Sequence, residues 1–127
     1  MKGMGVDVLE TTHSRHGDIV VVALTGEVDV DNVARVRRCL DEAVAAHGTR
    51  LVVDLTGLTF IDTTGLGVLV RQLAALRDRD GTMALVASDG QVLRRLRRTN
   101  LAALFPIHDT LPQALAQPEA GARGRAG

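Results

Sequence analysis

Chemically active side chains are concentrated in one ten-residue stretch, residues 58–67, which reads LTFIDTTGLG. It combines the carboxylate of Asp62 with the adjacent hydroxyls of Thr63 and Thr64 and with two glycines. A carboxylate at this position is typical of a helix cap. Backbone N–H groups at a helix start have no partners in the helix, and the helix dipole favours negative charge there. The stretch therefore predicts a helix-capping loop whose hydroxyls are able to accept a phosphate.

Two other interpretations of the stretch stay open on spacing alone. In the first, Asp62 is an ordinary helix cap and the threonines and glycines merely suit the turn. In the second, Thr63 or Thr64 is an enzyme nucleophile assisted by Asp54 or Asp62. No Lys, His or further acid completes such a catalytic set in the sequence, so we expect no enzymatic activity. We also expect no cofactor and no metal site, because the four histidines lack ligand spacing and Cys39 is the single cysteine.

The bulk composition excludes several classes of protein. The chain has 127 residues, which favours one domain, and it has no net charge and only two aromatic residues. Without a positive surface or stacking side chains, direct nucleic-acid binding is not predicted. We interpret the arginines of residues 94–98 as a solvated helix face, although a partner contact stays open. The sequence shows no signal peptide and no transmembrane run, so we expect a cytoplasmic protein that does not bind membranes.

Alternating strand and helix patterns predict the elements that position the stretch. Strands are expected at 6–12, 18–24, 50–55 and 82–87, with a brief one at 105–107. Helices are expected from about Asn32, from Thr63 to Arg79, after the capping-box pattern Ser88–Gln91, and from Thr110–Gln113 through Ala116.

These elements predict an α/β fold with a mixed, mostly parallel sheet of four or five strands and about four helices. The first two strands form an antiparallel hairpin, and sequential strand order would put the crossover helices on one face. The domain spans residues 6–116, with flexible termini at 1–5 and 117–127.

Two loops should meet at the carboxyl edge of this sheet, because they follow neighbouring parallel strands. They are residues 25–31, which carry Glu27 and Asp29, and residues 56–64, which carry Asp62. A phosphate on the threonines would gain about 0.3–1 kcal/mol from the helix dipole. It would also add about −1.5 to −2 charge beside this acidic face. Like-charge contact at a complementary interface costs several kcal/mol, so phosphorylation is expected to preserve the fold and weaken docking.

Three ordered motifs carry a resemblance to a known family. They are TGEVD at 25–29, VDL at 53–55 and FIDTTGLGVL at 60–69. In this order and at this separation, the chain resembles the STAS family and within it is most similar to bacterial anti-sigma factor antagonists. The resemblance extends from about Val6 to Ala116. Many members have serine in the last of these motifs, at the position where this chain has Thr63 and Thr64.

The resemblance implies a single STAS domain with a switching function. The unphosphorylated protein would bind an anti-sigma factor that is also a serine/threonine kinase, and so release the sigma factor. The kinase would phosphorylate the residue before the first glycine, which is Thr64, with Thr63 as the less favoured acceptor. A metal-dependent serine/threonine phosphatase would reverse the reaction.

Further expectations concern partner contacts and assembly. We expect a monomer or weak dimer. The resemblance also leaves open a STAS scaffold of a large signalling assembly that sequesters a kinase. The predicted partner-binding residues are Glu27, Asp29, Asp62, Thr63, Thr64, Gly65, Leu66 and Gly67.

Overall fold

The protein folds into a five-stranded sheet with helices on both faces, as described for residues 8–116 by a computed structural model. The strands are β1 (Leu9–His16), β2 (Ile19–Val28), β3 (Arg50–Ile61), β4 (Thr82–Val86) and β5 (Ile107–His108). The helices are α1 (Val33–His47), α2 (Thr63–Arg77), α3 (Gln91–Arg98) and α4 (Leu111–Ala116), with a 3-10 turn at Leu101–Ala103. The predicted flexible termini and the predicted strand start at Val6 lie outside the described residues.

The strands lie side by side in sequence order. β1 and β2 pair antiparallel, whereas β2–β3, β3–β4 and β4–β5 pair in parallel. The predicted mixed α/β sheet with its N-terminal hairpin is therefore confirmed. Each parallel pair is connected through a helix, and the carboxyl ends of β2 and β3 lie next to each other as predicted.

The continuous apolar run of β2 is explained by two separate cores. Val20 and Val22 join the larger cluster, which contains side chains of α1, α2 and α3. Ile19 and Val21 point to the opposite face, where they meet Ala114 of α4. Because side chains alternate along a strand, a strand covered on both faces needs apolar residues at every position. All three crossover helices cover one face, and α4 covers the other.

Three strands extend further than the patterns predicted. β1 continues to His16, beyond the predicted end at residue 12, and the chain reverses at Gly17, which has a φ of 65°. β2 continues through residues 25–28, which were predicted as loop, and β3 continues through residues 56–61. Polar side chains suggested loops there, but the backbones still pair, with register shifts next to Thr25 and Gly26. Such bulges twist and bend a strand without ending it.

The observed helix boundaries agree with some of the predicted caps and differ from others. α2 begins after Asp62 as predicted and ends at Arg77 rather than Arg79. The predicted capping box at Ser88–Gln91 is wrong, because the residue before α3 is Gly90 and no side chain caps that helix. The second one is confirmed in substance: the N–H of Gln113 donates to the Thr110 hydroxyl at 3.3 Å. The Gln113 side chain in turn accepts from the N–H of Asp109 at 3.1 Å, one residue earlier than in a standard box.

Candidate functional site

Asp62 connects the end of β3 to the first turn of α2. Its backbone is extended, with φ −96° and ψ −176°, and its carboxylate caps the helix by accepting from the N–H of Gly65 at 3.1 Å. The same oxygen, Oδ1, accepts from the hydroxyl of Thr64 at 2.5 Å. The N–H of Asp62 donates to the carbonyl of Val28 at 3.1 Å, which ties the cap to the end of β2. One residue thus fixes the position of the candidate phosphate acceptor.

The electrostatic environment of Asp62 favours its ionised form. Partial burial raises the pKa of this carboxyl, but hydrogen bonds from the Thr64 hydroxyl and from the N–H of Gly65 outweigh it. The backbone N–H groups of Thr64 and Val30 add to the effect, so the pKa of Asp62 lies below its ordinary value. The helix N-terminus therefore already holds one negative charge, and a phosphate on Thr64 would be the second.

The segment between β2 and α1 is braced by Asn32. Its side-chain oxygen accepts from the N–H of Asp29 at 3.0 Å, and its side-chain nitrogen donates to the carbonyl of Glu27 at 2.9 Å. The carboxylate of Asp29 accepts from the N–H of Asp31 at 3.0 Å. A helix was predicted from about Asn32, and this residue does directly precede α1, but its side chain makes no cap bond to the helix. Its side chain bonds to the backbone of the acidic loop instead.

The predicted site residues separate into surface and interior positions. Gly65 and Leu66 are buried in the free protein, and their contact with a partner stays a prediction. Thr63 is exposed, and its hydroxyl has no hydrogen-bond partner within residues 8–116. The other predicted residues belong to the neighbouring carboxyl ends of β2 and β3, to the loop after β2 and to the first turns of α2. We call this group the candidate surface: Glu27, Asp29, Asp62, Thr63, Thr64 and Gly67.

The two glycines of the motif have different surroundings. A Cβ on Gly65 would lie 2.6 Å from Cγ1 of Ile61 and 2.8 Å from Cγ1 of Val28, so the packing of α2 against both strands requires glycine there. A Cβ on Gly67 would meet only the guanidinium of Arg71, at 3.7 Å. Glycine inside a helix costs about 1 kcal/mol relative to alanine. Within the described part of the chain, no contact explains that cost at Gly67.

Two features of this region escaped prediction from the sequence. Val30 is 68% exposed, the larger of the two exposures recorded for big apolar side chains in residues 8–116. It stands in the acidic loop between Asp29 and Asp31, where nothing in the residue pattern distinguished it from a buried valine. Asn32 carries a recognisable signal, because an Asx residue that follows a loop is able to bond to that loop as well as to a helix.

The structure argues against an enzyme that uses Asp54. Its carboxylate accepts from the N–H and hydroxyl of Thr56, at 3.0 and 2.6 Å, and it lies in β3, eight residues before Asp62, which directly follows that strand. At about 3.3 Å per residue, the strand separates Asp54 from Asp62 by roughly 25 Å. Asp62 itself does contact the Thr64 hydroxyl, but a lowered pKa makes a carboxylate a poorer general base.

Other candidates have structural explanations. Arg94, Arg97 and Arg98 are exposed, as predicted for a solvated face, whereas Arg95 is half-buried with its guanidinium 5.6 Å from the centre of the Phe60 ring.

Within residues 8–116, no group of three or more His, Cys, Asp or Glu side chains is placed to hold a metal ion. No helix in the same range is both long enough and apolar enough to cross a membrane.

We expect acidification to destabilise the fold through Asp62. Its pKa is lowered in the folded state, so its contribution is complete above the ordinary value of about 4 and is lost as the pH falls through the folded pKa. Asp62→Asn keeps a cap acceptor without the charge. In urea unfolding from pH 7 to pH 2, the free energy of unfolding should therefore fall further for the wild type than for Asp62→Asn. A difference between the two that does not change with pH would contradict this assignment.

Comparisons with known proteins agree with this architecture. Residues 10–114 match the model of the STAS domain. The chain belongs to the STAS-domain family. It is 30% identical over 112 residues to an anti-sigma F factor antagonist of Paenibacillus polymyxa, covering 87% of this chain and 96% of the relative. It is also 31% identical over 112 residues to an anti-sigma-F factor antagonist of Mycobacterium tuberculosis, covering 86% and 88%.

A solved structure has the same fold. The crystal structure of an anti-sigma factor antagonist from Mycobacterium paratuberculosis superposes with a TM-score of 0.78 at 28% identity. The match covers 84% of this chain and 91% of that one. The STAS match includes β2, α1, β3 and α2, and therefore every residue of the candidate surface.

Proposed function

We propose that this STAS protein is an anti-sigma factor antagonist that works as a phosphorylation switch. Unphosphorylated, it binds an anti-sigma factor with serine/threonine kinase activity and releases the sigma factor; phosphorylation at Thr64 ends the binding. The relatives described above carry the name of antagonist. The observation that carries the proposal is the Thr64 hydroxyl, held on the capping carboxylate of Asp62 beside the acidic loop and the bare backbone of Gly67. We choose Thr64 over Thr63 because it directly precedes the first glycine of the motif.

Phosphorylation of Thr64 would act first on Asp62. The hydroxyl now donates to the carboxylate at 2.5 Å, whereas a phosphate offers only acceptor oxygens and about −1.5 to −2 charge. Because the pKa of Asp62 is low, the carboxylate stays ionised and repels the phosphate. The phosphorylated side chain therefore has to turn away from Asp62. It remains near the α2 N-terminus, where the helix dipole favours it, so the fold is retained.

The same change would block docking at Gly67. Thr64 and Gly67 are three residues apart in α2, so they are neighbours on one side of the helix. Glycine at this position lets a partner backbone approach the helix closely. A phosphate that turns away from Asp62 takes up room on this surface and brings a hydrated charge that the interface would have to desolvate. The proposal thus explains why a helix interior keeps a glycine that nothing in the described chain requires.

The remaining parts of the proposal follow from the switch. The protein performs no chemistry itself, and its partners are an anti-sigma factor kinase and a metal-dependent serine/threonine phosphatase that removes the phosphate. It uses no cofactor, contacts neither nucleic acid nor membrane, and acts in the cytoplasm as a monomer or weak dimer.

Mapping of the phosphate tests the acceptor. Incubation with the purified anti-sigma factor kinase and ATP is expected to add one phosphate, which peptide mass spectrometry should place on Thr64. Thr64→Ala should take up no phosphate, and the matched variant Thr63→Ala should be phosphorylated as the wild type is. Phosphate on Thr63, or equal phosphorylation of Thr64→Ala, would overturn the assignment.

A further inference from the structure

Val30 has an exposed apolar side chain on a loop that is held by hydrogen bonds. It is 68% exposed, while most large apolar residues of the described chain lie in the two cores. Single exposed apolar residues are common on protein surfaces, so exposure alone carries no argument. The loop around Val30 is unusual because it is braced on both sides of that residue. The side chain of Asn32 bonds to the backbone of Glu27 and Asp29, at 2.9 and 3.0 Å. The carboxylate of Asp29 accepts from the N–H of Asp31.

The loop also lies next to the switch. The end of β2 is tied to the α2 cap by the 3.1 Å bond from the N–H of Asp62 to the carbonyl of Val28. Val30 follows two residues later, and its N–H is one of the backbone donors that lower the pKa of the Asp62 carboxyl. The backbone of Val30 therefore lies close to the carboxylate that also accepts from the Thr64 hydroxyl. A preorganised side chain loses little conformational entropy on binding, so more of its contact energy is retained as affinity.

The surroundings of Val30 define the chemistry of what it fits. Residues 26–34 contain three acidic residues and no basic residue. Glu27 is exposed and Asp29 is half-buried, so both acidic residues lie in the segment that carries the exposed valine and are within reach of solvent. An apolar centre with a charged rim is the usual anatomy of a protein interface. The complementary surface is an apolar pocket bordered by Lys or Arg side chains.

We propose that Val30 is the apolar anchor by which this protein docks into a pocket edged with basic residues on the anti-sigma factor. This inference rests on the proposed function and adds to it the residue and the partner chemistry that decide recognition. Val30 fills the pocket, Glu27 and Asp29 pair with the basic edge, and the partner backbone crosses Gly67. Phosphorylated Thr64 loses its bond to Asp62, the residue that joins this loop to α2. The switch then disturbs the anchor as well as the approach to Gly67.

Isosteric substitution tests the anchor. Val30→Thr keeps the shape and β-branching of the side chain but places a hydroxyl where the pocket is apolar. Binding to the purified anti-sigma factor kinase, measured by titration calorimetry, is expected to weaken about tenfold, while Val30→Ile keeps wild-type affinity. Leu104→Asn is the matched control, because Leu104 is also an exposed large apolar residue, at 39%, but follows the 3-10 turn of residues 101–103. It should bind as the wild type does.

The outcomes separate this inference from the proposed function. If the wild type binds the kinase and Val30→Thr binds equally well, the anchor is refuted and the proposed function stands. If Leu104→Asn weakens binding as much as Val30→Thr, the specific role of Val30 is refuted too. If the wild type does not bind any anti-sigma factor kinase of its organism, the proposed function fails and the anchor fails with it. Circular dichroism melting should show equal stability for all three variants, since both side chains are exposed.

The acidic rim is tested by the rate of association with the same kinase, measured by stopped-flow mixing at several salt concentrations. Glu27 is exposed, and its side chain takes no part in the loop bracing, so Glu27→Gln removes a charge without disturbing structure. A rim charge acts mainly on the association rate and its salt dependence. Glu27→Gln should therefore slow association and flatten its dependence on salt. An unchanged salt dependence would contradict the basic edge proposed for the partner.

Discussion

Replacing Thr64 with glutamate is expected to weaken binding to the anti-sigma factor kinase by at least 30-fold, about 2 kcal/mol. The glutamate places a permanent negative charge beside Asp62, whose pKa is already lowered, and fills the space next to Gly67. The fold should persist, because an acidic side chain in the first turn of a helix is stabilising. Loss of the Thr64–Asp62 hydrogen bond costs about 1 kcal/mol against this gain. Titration calorimetry gives the affinity, and urea unfolding gives the stability.

Thr64→Gln is the control that separates charge from size. Glutamine has the dimensions of glutamate and no charge, so its affinity should fall between the wild type and Thr64→Glu. Equal losses for the two variants would assign the effect to bulk at Gly67 alone. Wild-type affinity in Thr64→Glu would contradict the electrostatic account of the switch.

The second large effect is expected from alanine at the two motif glycines. Gly67→Ala should stabilise the free protein by about 0.5–1 kcal/mol, because the position lies inside α2 and its added methyl meets only Arg71, at 3.7 Å. Gly65→Ala gains the same helix propensity, but its methyl would lie 2.6 Å from Ile61 and 2.8 Å from Val28. Overpacking of this kind costs about 1–3 kcal/mol. Urea unfolding should therefore rank Gly67→Ala above Gly65→Ala by about that amount.

For Gly67→Ala, the effect on binding should be opposite to the effect on stability. The methyl group that stabilises the helix also stands where the partner backbone is proposed to cross, so Gly67→Ala is expected to be more stable and to bind the kinase less tightly. A variant that gains stability and keeps full affinity would remove the explanation for this glycine. Equal stability of the two alanine variants would contradict the packing assigned to Gly65.

Local patterns predicted the elements around the site well, because each depended on neighbours in sequence. The alternation of apolar strands and amphipathic helices gave the α/β fold, and the position of Asp62 before a helix-like run gave the α2 cap. The continuous apolar run at 18–24 predicted the strand β2, whose two faces are both covered. These features follow from hydrophobic period and capping chemistry, which residue types alone express.

Features that depend on pairing across the sheet were not predicted. Residues 25–28 look like loop from their polar side chains, yet their backbones pair with β3 through two register shifts. Ser88 has the spacing of a cap, but Gly90 precedes the helix. The site shows the same division: Gly65 and Gly67 are identical in sequence, and only the packing of Ile61 and Val28 distinguishes the buried one from the open one. The exposure of Val30 likewise depends on how the loop is held.

Release of the sigma factor tests the central claim most directly. The complex of the anti-sigma factor kinase with its sigma factor is mixed with this protein, unphosphorylated or phosphorylated on Thr64, and free sigma factor is measured by size-exclusion chromatography. The unphosphorylated protein is expected to displace the sigma factor in proportion to its concentration, and the phosphorylated protein at the same concentrations should leave the complex intact. Equal release by both forms, or release by neither, would contradict a switch at Thr64.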